Sequence, residues 1–304
     1  MSKKRRLAYL ALLGNTLIWG AAFPIIKPAL AFHSPYEFLF LRYAIAAPLI
    51  LPILVHAKVK FTLPIKKKIL PIIALEVIGV PLLLSLVYTA LDHTTALSAS
   101  LIGLTSPLFT IIAGVLFLKE RETTKELKGL FIALIGTLIL TLSPVFKSAL
   151  PTGDLVGNSL MFLYNILWAL YLILAKKLYS GVPKILVSTI SMWIGLFFFG
   201  GLVVISGGLP HFFLSLNPTT LIAGGYMGIL GSIIALTLYL YGQDKIEASE
   251  ASLFTYLQAV VAIPTAYLLL HELPSLWQIV GALTICLGVY IGESKFRKKR
   301  MFLI

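Results

Sequence analysis

The sequence predicts an all-α polytopic membrane protein with ten transmembrane helices, arranged as two inverted five-helix repeats over residues 1–148 and 149–304. Three observations predict this fold class. Ten long apolar stretches run through the chain, the positive charges fall in alternate gaps between them, and the second half repeats residues of the first. The composition agrees, because 59% of residues are hydrophobic and 12% are charged. A soluble domain is roughly 45–50% apolar and about 25% charged.

The ten apolar stretches are long enough to cross a bilayer, which takes about 20 mostly apolar residues in a helix. In chain order, segments one to ten cover roughly residues 8–30, 36–55, 69–90, 96–118, 126–144, 154–176, 185–206, 219–242, 249–270 and 276–293. Short polar turns at 92–95 and 271–274 separate segment three from four and segment nine from ten.

The positive charges predict the orientation of the segments. Of 25 Lys and Arg residues, 22 lie at the two termini or in the gaps 56–68, 119–128, 176–184 and 243–250, which alternate with gaps that hold almost none. Because cytoplasmic loops carry an excess of Lys and Arg, we expect a multi-pass protein of the cytoplasmic membrane with both termini in the cytoplasm. The net charge of +13 lies in clusters at segment ends. That pattern favours contact with anionic lipid, and we exclude nucleic acid as a partner.

The second half of the sequence repeats the first at a shift of 152 residues. Ala99-Ser100-Leu101 recurs as Ala251-Ser252-Leu253. At the same shift, Leu116, Leu118, Glu120, Gly129 and Gly136 correspond to Leu268, Leu270, Glu272, Gly281 and Gly288. A repeat of five segments, an odd number, enters the membrane from the opposite side the second time. Several secondary transporters are built from such inverted repeats, with the substrate site at the repeat interface near the membrane midplane.

Several motifs occur in one order along nearly the whole chain. They are Asn15-x-x-x-Trp19-Gly20-x-x-Phe23-x-x-x-Lys27, the run from Ala99 through Ser106-Pro107 to Glu120, Gly129, and Ala251 to Glu272 followed by Gln278 and Gly281. In these motifs the chain resembles the EamA type of the drug/metabolite transporter superfamily.

The resemblance implies ten helices as two inverted repeats, and export or exchange of small metabolites, often amino acids. It also implies a central cavity lined by segments one, three, four, six, eight and nine, with two, five, seven and ten outside. The sequence departs from the family pattern once. The family's proline in segment nine is replaced by Ala259, with Pro264 five residues later. The kink in segment nine is therefore expected to be displaced.

Polar and aromatic residues inside the segments are the candidates for substrate binding or coupling, because ionisable and polar groups are costly in a bilayer. They are Asn15, Trp19, Phe23, Lys27, Glu76, Ser106, Asn165, Trp168, Tyr171, Tyr239, Tyr256 and Gln258. Glu76 is the only acidic residue well inside a segment. We predict that it carries a coupling proton or binds an ammonium group. A packing role, with a Ser, Tyr or Lys as partner, is the alternative.

The remaining candidates each have a second interpretation. Lys27 and Lys176 lie at mirrored depths, as inverted symmetry requires, and Lys27 can form a gate or attract a carboxylate. Snorkelling of the ammonium group to the interface is the favoured alternative. Arg42 ranks lower, because the resemblance places its segment at the periphery. The aromatic residues of segments one and six can bind apolar or cationic solutes, or can simply pack between helices.

The sequence therefore predicts a secondary active transporter that exports small metabolites such as amino acids by alternating access. An exporter of multiple drugs or organic cations is one alternative, and an intramembrane enzyme or lipid-handling scaffold is another. We expect no enzyme, since the P-loop, His-Glu-x-x-His and Gly-x-Ser-x-Gly motifs are absent. No cofactor and no metal are predicted, and Cys286 is the only cysteine. The expected partners are a small-molecule substrate and the lipid bilayer, and a homodimer is left open.

Overall fold

The computed structural model describes residues 3–59, 63–118, 124–146, 152–246, 251 and 254–292, and its regular elements there are helices. The α-helices are α1 Lys3–Gly20, α2 Ala22–Ile26, α3 Pro35–His56, α4 Leu63–His93, α5 Ala96–Gly103, α6 Ser106–Leu118, α7 Thr124–Thr141, α8 Thr152–Leu178, α9 Lys184–Ile205, α10 Leu209–Leu214, α11 Pro218–Gly225, α12 Leu236–Lys245, α13 Phe254–Leu270 and α14 Leu276–Gly292. Two 3₁₀ helices cover Lys27–Ala31 and Ser143–Phe146, and a π-helix, Tyr226–Ala235, joins α11 to α12.

Within the described ranges, seven helical stretches are long and apolar enough to span a membrane. They are Lys4–Ala31, Pro35–His56, Leu63–His93, Ala96–Gly114, Asp154–Leu178, Lys184–Ile205 and Pro218–Lys245. Three shorter apolar helices, Phe131–Thr141, Phe254–Leu270 and Leu276–Gly288, fall in predicted segments five, nine and ten. The prediction of an all-α polytopic membrane protein is confirmed, and the count of ten spans stays a prediction.

Three helix starts follow from capping residues in the loops before them. Ser34 precedes α3, and its hydroxyl accepts from the Glu37 amide while the Glu37 carboxylate accepts from the Ser34 amide. Pro35 at the first helical position needs no amide partner. Thr95 caps α5 and Asn217 caps α11 in the same manner, each accepting from the amide three residues later.

Segments one and four are broken helices, whereas segment nine is one uninterrupted helix over its described part, Phe254–Leu270. Segment four stops at Gly103 and resumes at Ser106, just before Pro107, whose ring lacks an amide donor. The carbonyl of Ile102, near the break, accepts from the Asn165 side-chain amide at 2.9 Å. By contrast α13 runs through Pro264 without interruption. Segments four and nine therefore differ in whether the helix is interrupted, as the replacement of the expected proline by Ala259 suggests.

Helices of the first half pack against helices of the second. The most extensive contact joins α7 to α14, while α1 packs on α12 and α13, and α4 packs on α8 and α9. Gly20 allows the contact between α1 and α13, because a Cβ there would lie 2.8 Å from the Cβ of Val261. The space enclosed by this interleaving of α1, α4, α8, α12 and α13 forms the centre of the molecule.

The α7–α14 contact repeats itself under the sequence shift. A Cβ on Gly136 would lie 2.7 Å from the Gly281 carbonyl oxygen, and a Cβ on Gly288 would lie 2.6 Å from the Gly129 carbonyl oxygen. Adding 152 turns Gly129 into Gly281 and Gly136 into Gly288, so the shift exchanges the two contacts. The pairing also runs in opposite directions along the two helices, which is the relation that a twofold axis across an antiparallel pair produces.

Candidate functional site

A cavity of about 180 Å³ lies at the centre of the molecule. Nine of the twelve predicted site residues line it, namely Trp19, Phe23, Glu76, Ser106, Asn165, Trp168, Tyr171, Tyr239 and Gln258. Residues distant in sequence thus meet at one place, contributed by both halves of the chain. Their roles in binding or coupling stay predictions.

Three predicted residues lie outside the cavity lining. Asn15 is buried and donates from Nδ2 to the Ala235 carbonyl at 3.1 Å, which ties α1 to the end of the π-helix. Tyr256 packs, partly buried, against the central apolar cluster. Lys27 donates from Nζ to the carbonyls of Leu91 at 2.7 Å and Asp92 at 2.9 Å.

Lys27 and Lys176 make equivalent contacts at the two ends of the molecule. Lys27 binds carbonyls in the last turn of α4, whereas Lys176 donates to the Ile246 carbonyl, directly after α12, at 2.9 Å. Cations near a helix C-terminus are stabilised by the unpaired carbonyls there. Lys27, at the start of the 3₁₀ helix after α2, and Lys176, in α8, therefore each join their own helix to the end of a neighbouring one. The Lys27 contact lies outside the cavity lining.

Glu272 caps a helix from a distant part of the chain. Its carboxylate accepts from the amides of Leu97 at 2.7 Å and Ala96 at 3.3 Å, in the first turn of α5. Carboxylates are stabilised at helix N-termini by unpaired amides. Its repeat equivalent, Glu120, lies outside the described residues.

An aromatic wall covers one side of the cavity. Trp168 stacks between Tyr164 and Tyr171 on α8, with ring centroids 6.0 and 5.3 Å away. Across the cavity, Trp19 meets Trp168 edge-on at 6.3 Å and Tyr239 at 5.3 Å. Trp19 is held in place because its indole nitrogen donates to the Gly231 carbonyl in the π-helix at 3.1 Å. The wall offers ring faces to a solute from both halves of the chain.

Glu76 lies at the cavity with a completely buried side chain. Three hydroxyl groups donate to its carboxylate: Tyr171 to Oε1 at 2.6 Å, Tyr179 to the same oxygen, and Ser191 to Oε2 at 2.7 Å. Tyr171 lies on α8, Tyr179 directly follows that helix and Ser191 lies on α9, whereas Glu76 belongs to α4. The carboxylate thus connects the two halves of the chain, and its hydroxyl partners are of the kind that a packing role requires.

Arg42 also lines the cavity, which the sequence interpretation did not anticipate. It is 7% exposed, and it donates from Nε to Ser232 Oγ at 2.7 Å and from Nη1 to the Tyr88 hydroxyl at 3.0 Å. Its guanidinium carbon lies 5.3 Å from the Tyr43 ring centroid. A lone arginine inside an apolar helix was a sufficient signal, but the peripheral position that the resemblance assigns to its helix outweighed it.

The expected set of lining segments therefore needs correction. Segments two and seven were placed outside, yet α3 contributes Arg42 and Tyr43 and α9 contributes Ser191 to the cavity lining. A helix at the periphery of a bundle still presents one face inward. Long side chains on that face reach past the neighbouring helices to the centre.

A second polar cluster lies outside the cavity lining, where the first turn of α3 meets α10. Glu37 is 2.8 Å from His211 Nδ1, and His33 packs beside the His211 ring at 6.3 Å between centroids. Burial lowers the pKa of His33 below its usual 6.5, against the attraction of Glu37, and so favours the neutral imidazole. Among the described residues, no group of three or more His, Cys, Asp or Glu has an arrangement that could hold a metal ion.

Comparison with known proteins agrees with this architecture. Residues 6–142 and 155–292 match the sequence model of the EamA-like transporter family. An uncharacterized transporter of Archaeoglobus fulgidus is 26% identical over 287 residues, covering 94% of this chain and 97% of its own length. The uncharacterized transporter YyaM of Bacillus subtilis is 26% identical over 291 residues, covering 95% of this chain and 94% of its own length.

A third relative has a more specific name. The "Probable amino-acid metabolite efflux pump" of Salmonella typhimurium is 24% identical over 308 residues and covers 97% of both chains. A solved crystal structure of a protein superposes with a TM-score of 0.67 at 15% identity, covering 93% of this chain and 98% of its own. That structure supports the fold alone.

Proposed function

Since the chain belongs to the EamA-like transporter family, we propose that it is a secondary active transporter that exports small metabolites such as amino acids across the cytoplasmic membrane by alternating access. The observation that carries the proposal is the central cavity, whose lining comes from both halves of the chain. A site between two halves can open to either face when the halves rock against each other.

The symmetry of the helix contacts supports alternating access. The family matches at 6–142 and 155–292 fall on either side of the proposed boundary at residues 148 and 149. The exchanged contacts of Gly129, Gly136, Gly281 and Gly288 are those of two oppositely oriented repeats. If the repeats are equivalent, exchanging their conformations turns an inward-open state into an outward-open one. We count the three shorter apolar helices as spans, which gives five for each repeat.

The size of the cavity favours a small solute. Pockets that bind drug-sized ligands have volumes of roughly 300–1,000 Å³, whereas this cavity measures about 180 Å³. The Salmonella relative, which is named for amino-acid metabolite efflux, spans the same length of chain. These two observations together favour amino-acid-sized metabolites over multidrug substrates.

The alternatives are less well supported. An organic-cation exporter needs a cavity in which Glu76 faces the aromatic residues and no cation does, but Arg42 lies in the lining. An intramembrane enzyme needs clustered catalytic groups, whereas the two cavity charges, Arg42 and Glu76, are bonded to different hydroxyl groups. The relatives described above are named transporters.

Counterflow in proteoliposomes tests the function. We expect purified protein, in vesicles preloaded with unlabelled L-leucine or L-phenylalanine, to accumulate the labelled amino acid faster than protein-free vesicles do. Trp168→Ala removes the centre of the aromatic wall and should lower the rate about two- to tenfold, since an aromatic pair is worth about 0.5–1.5 kcal/mol. Phe197→Ala removes a ring that is 71% exposed on α9 and should leave the rate unchanged. The proposal is wrong if wild-type vesicles show no counterflow of any amino acid.

A further inference from the structure

We propose that Arg42 binds the carboxylate group of the transported molecule, so that the transporter selects small carboxylates, zwitterions included, over amines and amides of the same shape. This inference rests on the proposed function, because it names the chemical class that the same cavity admits. The chemistry is that of a planar guanidinium facing a planar carboxylate, which can form two parallel hydrogen bonds.

The first argument is the hydrogen-bonding capacity that Arg42 has left. A guanidinium group has five N–H donors. One on Nε binds Ser232 and one on Nη1 binds Tyr88, and Nη2 makes no hydrogen bond to any described residue. Arg42 lines the cavity, and we infer that these donors bind a solute there.

The second argument is charge. Arg42 forms no ion pair with an acidic residue in the described part of the chain, so its charge meets only hydroxyl oxygens and the ring faces of Tyr43 and Tyr88. A buried cation without an anion is costly in a membrane protein, and such residues typically mark substrate pathways. An anionic group entering the cavity would supply the missing charge.

The third argument is that the structure holds Arg42 in position. Ser232 donates to the Met227 carbonyl five residues earlier, within the π-helix, and so presents its oxygen as an acceptor to Arg42. Gly228 lets the π-helix approach α3, since a Cβ there would lie 3.0 Å from the Arg42 carbonyl oxygen. π-Helical turns are frequent at functional sites, and here one fixes the partner of Arg42, the only arginine among the described residues of the cavity lining.

Glu76 does not take the place of the substrate anion. It accepts three hydroxyl groups of its own, and on α4 it is twelve residues from Tyr88, a rise of about 18 Å at 1.5 Å per residue. The cavity lining extends along α4 from Glu76 to Tyr88. The carboxylate of a solute would therefore bind at the Arg42–Tyr88 end, with its body against the stack of Tyr164 and Trp168. In a zwitterion, the ammonium group would meet these ring faces.

Matched ligands test the inference on the wild-type protein. We expect L-phenylalanine and 3-phenylpropionate, which have a carboxylate, to raise the apparent melting temperature more than L-phenylalaninamide and phenethylamine, which lack one. L-Leucine and L-leucinamide make a second matched pair. The inference is wrong if the amides or the amine stabilise the protein as much as the acids do, or if none of these carboxylates stabilises it.

Variants of Arg42 test the assignment to this residue. Arg42→Gln should weaken binding of the carboxylates at least about tenfold, since hydrogen bonds to charged groups are worth about 1.5–3 kcal/mol, and should leave binding of L-phenylalaninamide unchanged. Arg42→Lys keeps the charge without the planar fork and should restore part of the affinity. Lys177→Gln removes the same charge from an exposed position on α8 and should have no effect.

The variants also separate a binding role from a structural one. If Arg42→Gln lowers affinity for the acid and for the amide equally, Arg42 only holds helices together and the inference is wrong. Should Arg42→Gln not fold, Ser232→Ala and Tyr88→Phe keep the charge but loosen the guanidinium, and they should reduce acid binding more than amide binding. Equal reduction would again contradict the inference. If an amino acid shows counterflow, and its acid and amide forms compete with it equally, the proposed function stands and the carboxylate site is excluded.

Discussion

At the scale of single residues, Glu76 is a connection between the two halves of the molecule. Its carboxylate on α4 accepts from the hydroxyl groups of Tyr171 on α8, Tyr179 just after α8 and Ser191 on α9. An ionised carboxylate only accepts, whereas a protonated carboxyl group has an O–H donor and less capacity to accept, so the three donating hydroxyl groups would have to rearrange. Taking up a proton would therefore weaken a contact between the halves, which is the kind of change that couples a proton to a conformational transition.

Replacement of Glu76 by Gln tests this coupling. The amide has the shape of the carboxylate but cannot change its protonation, so we expect counterflow by Glu76→Gln to be independent of pH between about pH 5 and pH 8, while the wild type varies. Tyr179→Phe is the control, because it removes one hydroxyl partner and leaves the titrating group, so the pH dependence should persist. A wild-type rate that is the same across this range would exclude a coupling role for Glu76.

Sequence patterns predicted some of these residues and not others, for a physical reason. Glu76 is identifiable because an acid deep inside an apolar helix is rare. Trp168 and Tyr171 are three residues apart on one helix, so they must share a face. The inward direction of Arg42 depends on the rotation of α3 about its axis. That rotation is set by packing against α9 and the π-helix, and a hydropathy pattern with apolar residues all round the helix does not encode it.

At the scale of helices, the α7–α14 pair depends on glycine. Gly288 packs against backbone atoms, since a Cβ there would lie 2.5 Å from the Ala133 amide nitrogen and 2.6 Å from the Gly129 carbonyl oxygen. Small residues at helix interfaces in membranes allow backbones to approach closely. The structure uses Gly288 for packing within the monomer.

A single methyl group tests the importance of this contact. We expect Gly288→Ala to lower the apparent melting temperature in detergent, because the neighbouring atoms are backbone and cannot move aside; overpacking typically costs about 1–3 kcal/mol. Gly201→Ala is the matched control, since a Cβ there meets nothing within 4 Å and alanine favours the helix by up to about 1 kcal/mol. Equal melting temperatures for the two variants would contradict the role of Gly288.

The helices themselves were predicted better than their interruptions. The apolar segments correspond to helices, because about 20 apolar residues in a bilayer have no other means of satisfying their backbone hydrogen bonds. The π-helix at Tyr226–Ala235 was not predicted. Its sequence shows no proline, and its extra residue per turn is supported by side-chain contacts from α1 and α3, such as Trp19 to Gly231 and Arg42 to Ser232. Such contacts come from residues about 190 to 210 positions away.

At the scale of the whole molecule, the arrangement of charges and the arrangement of contacts lead to the same topology. The basic clusters predict that both termini lie in the cytoplasm. The exchange of the Gly129–Gly288 and Gly136–Gly281 contacts under one shift independently favours two oppositely oriented repeats. Two repeats of five spans make an even number of crossings, so the second inference requires both termini to lie on one face, in agreement with the first.

Cysteine labelling tests the topology directly. Cys286→Ser removes the only cysteine, and single cysteines can then be placed at Ser2, Ala57, Leu214 and Ile304. Ala57 and Leu214 are exposed after α3 and at the end of α10. In right-side-out membranes we expect a membrane-impermeant maleimide to label only the variant at Leu214, whereas inside-out vesicles should expose the other three. Labelling of Ser2 and Ile304 from different faces would mean an odd number of crossings, in which case the second repeat could not be the inverted copy of the first and one cavity could not open to both sides by exchange of their conformations.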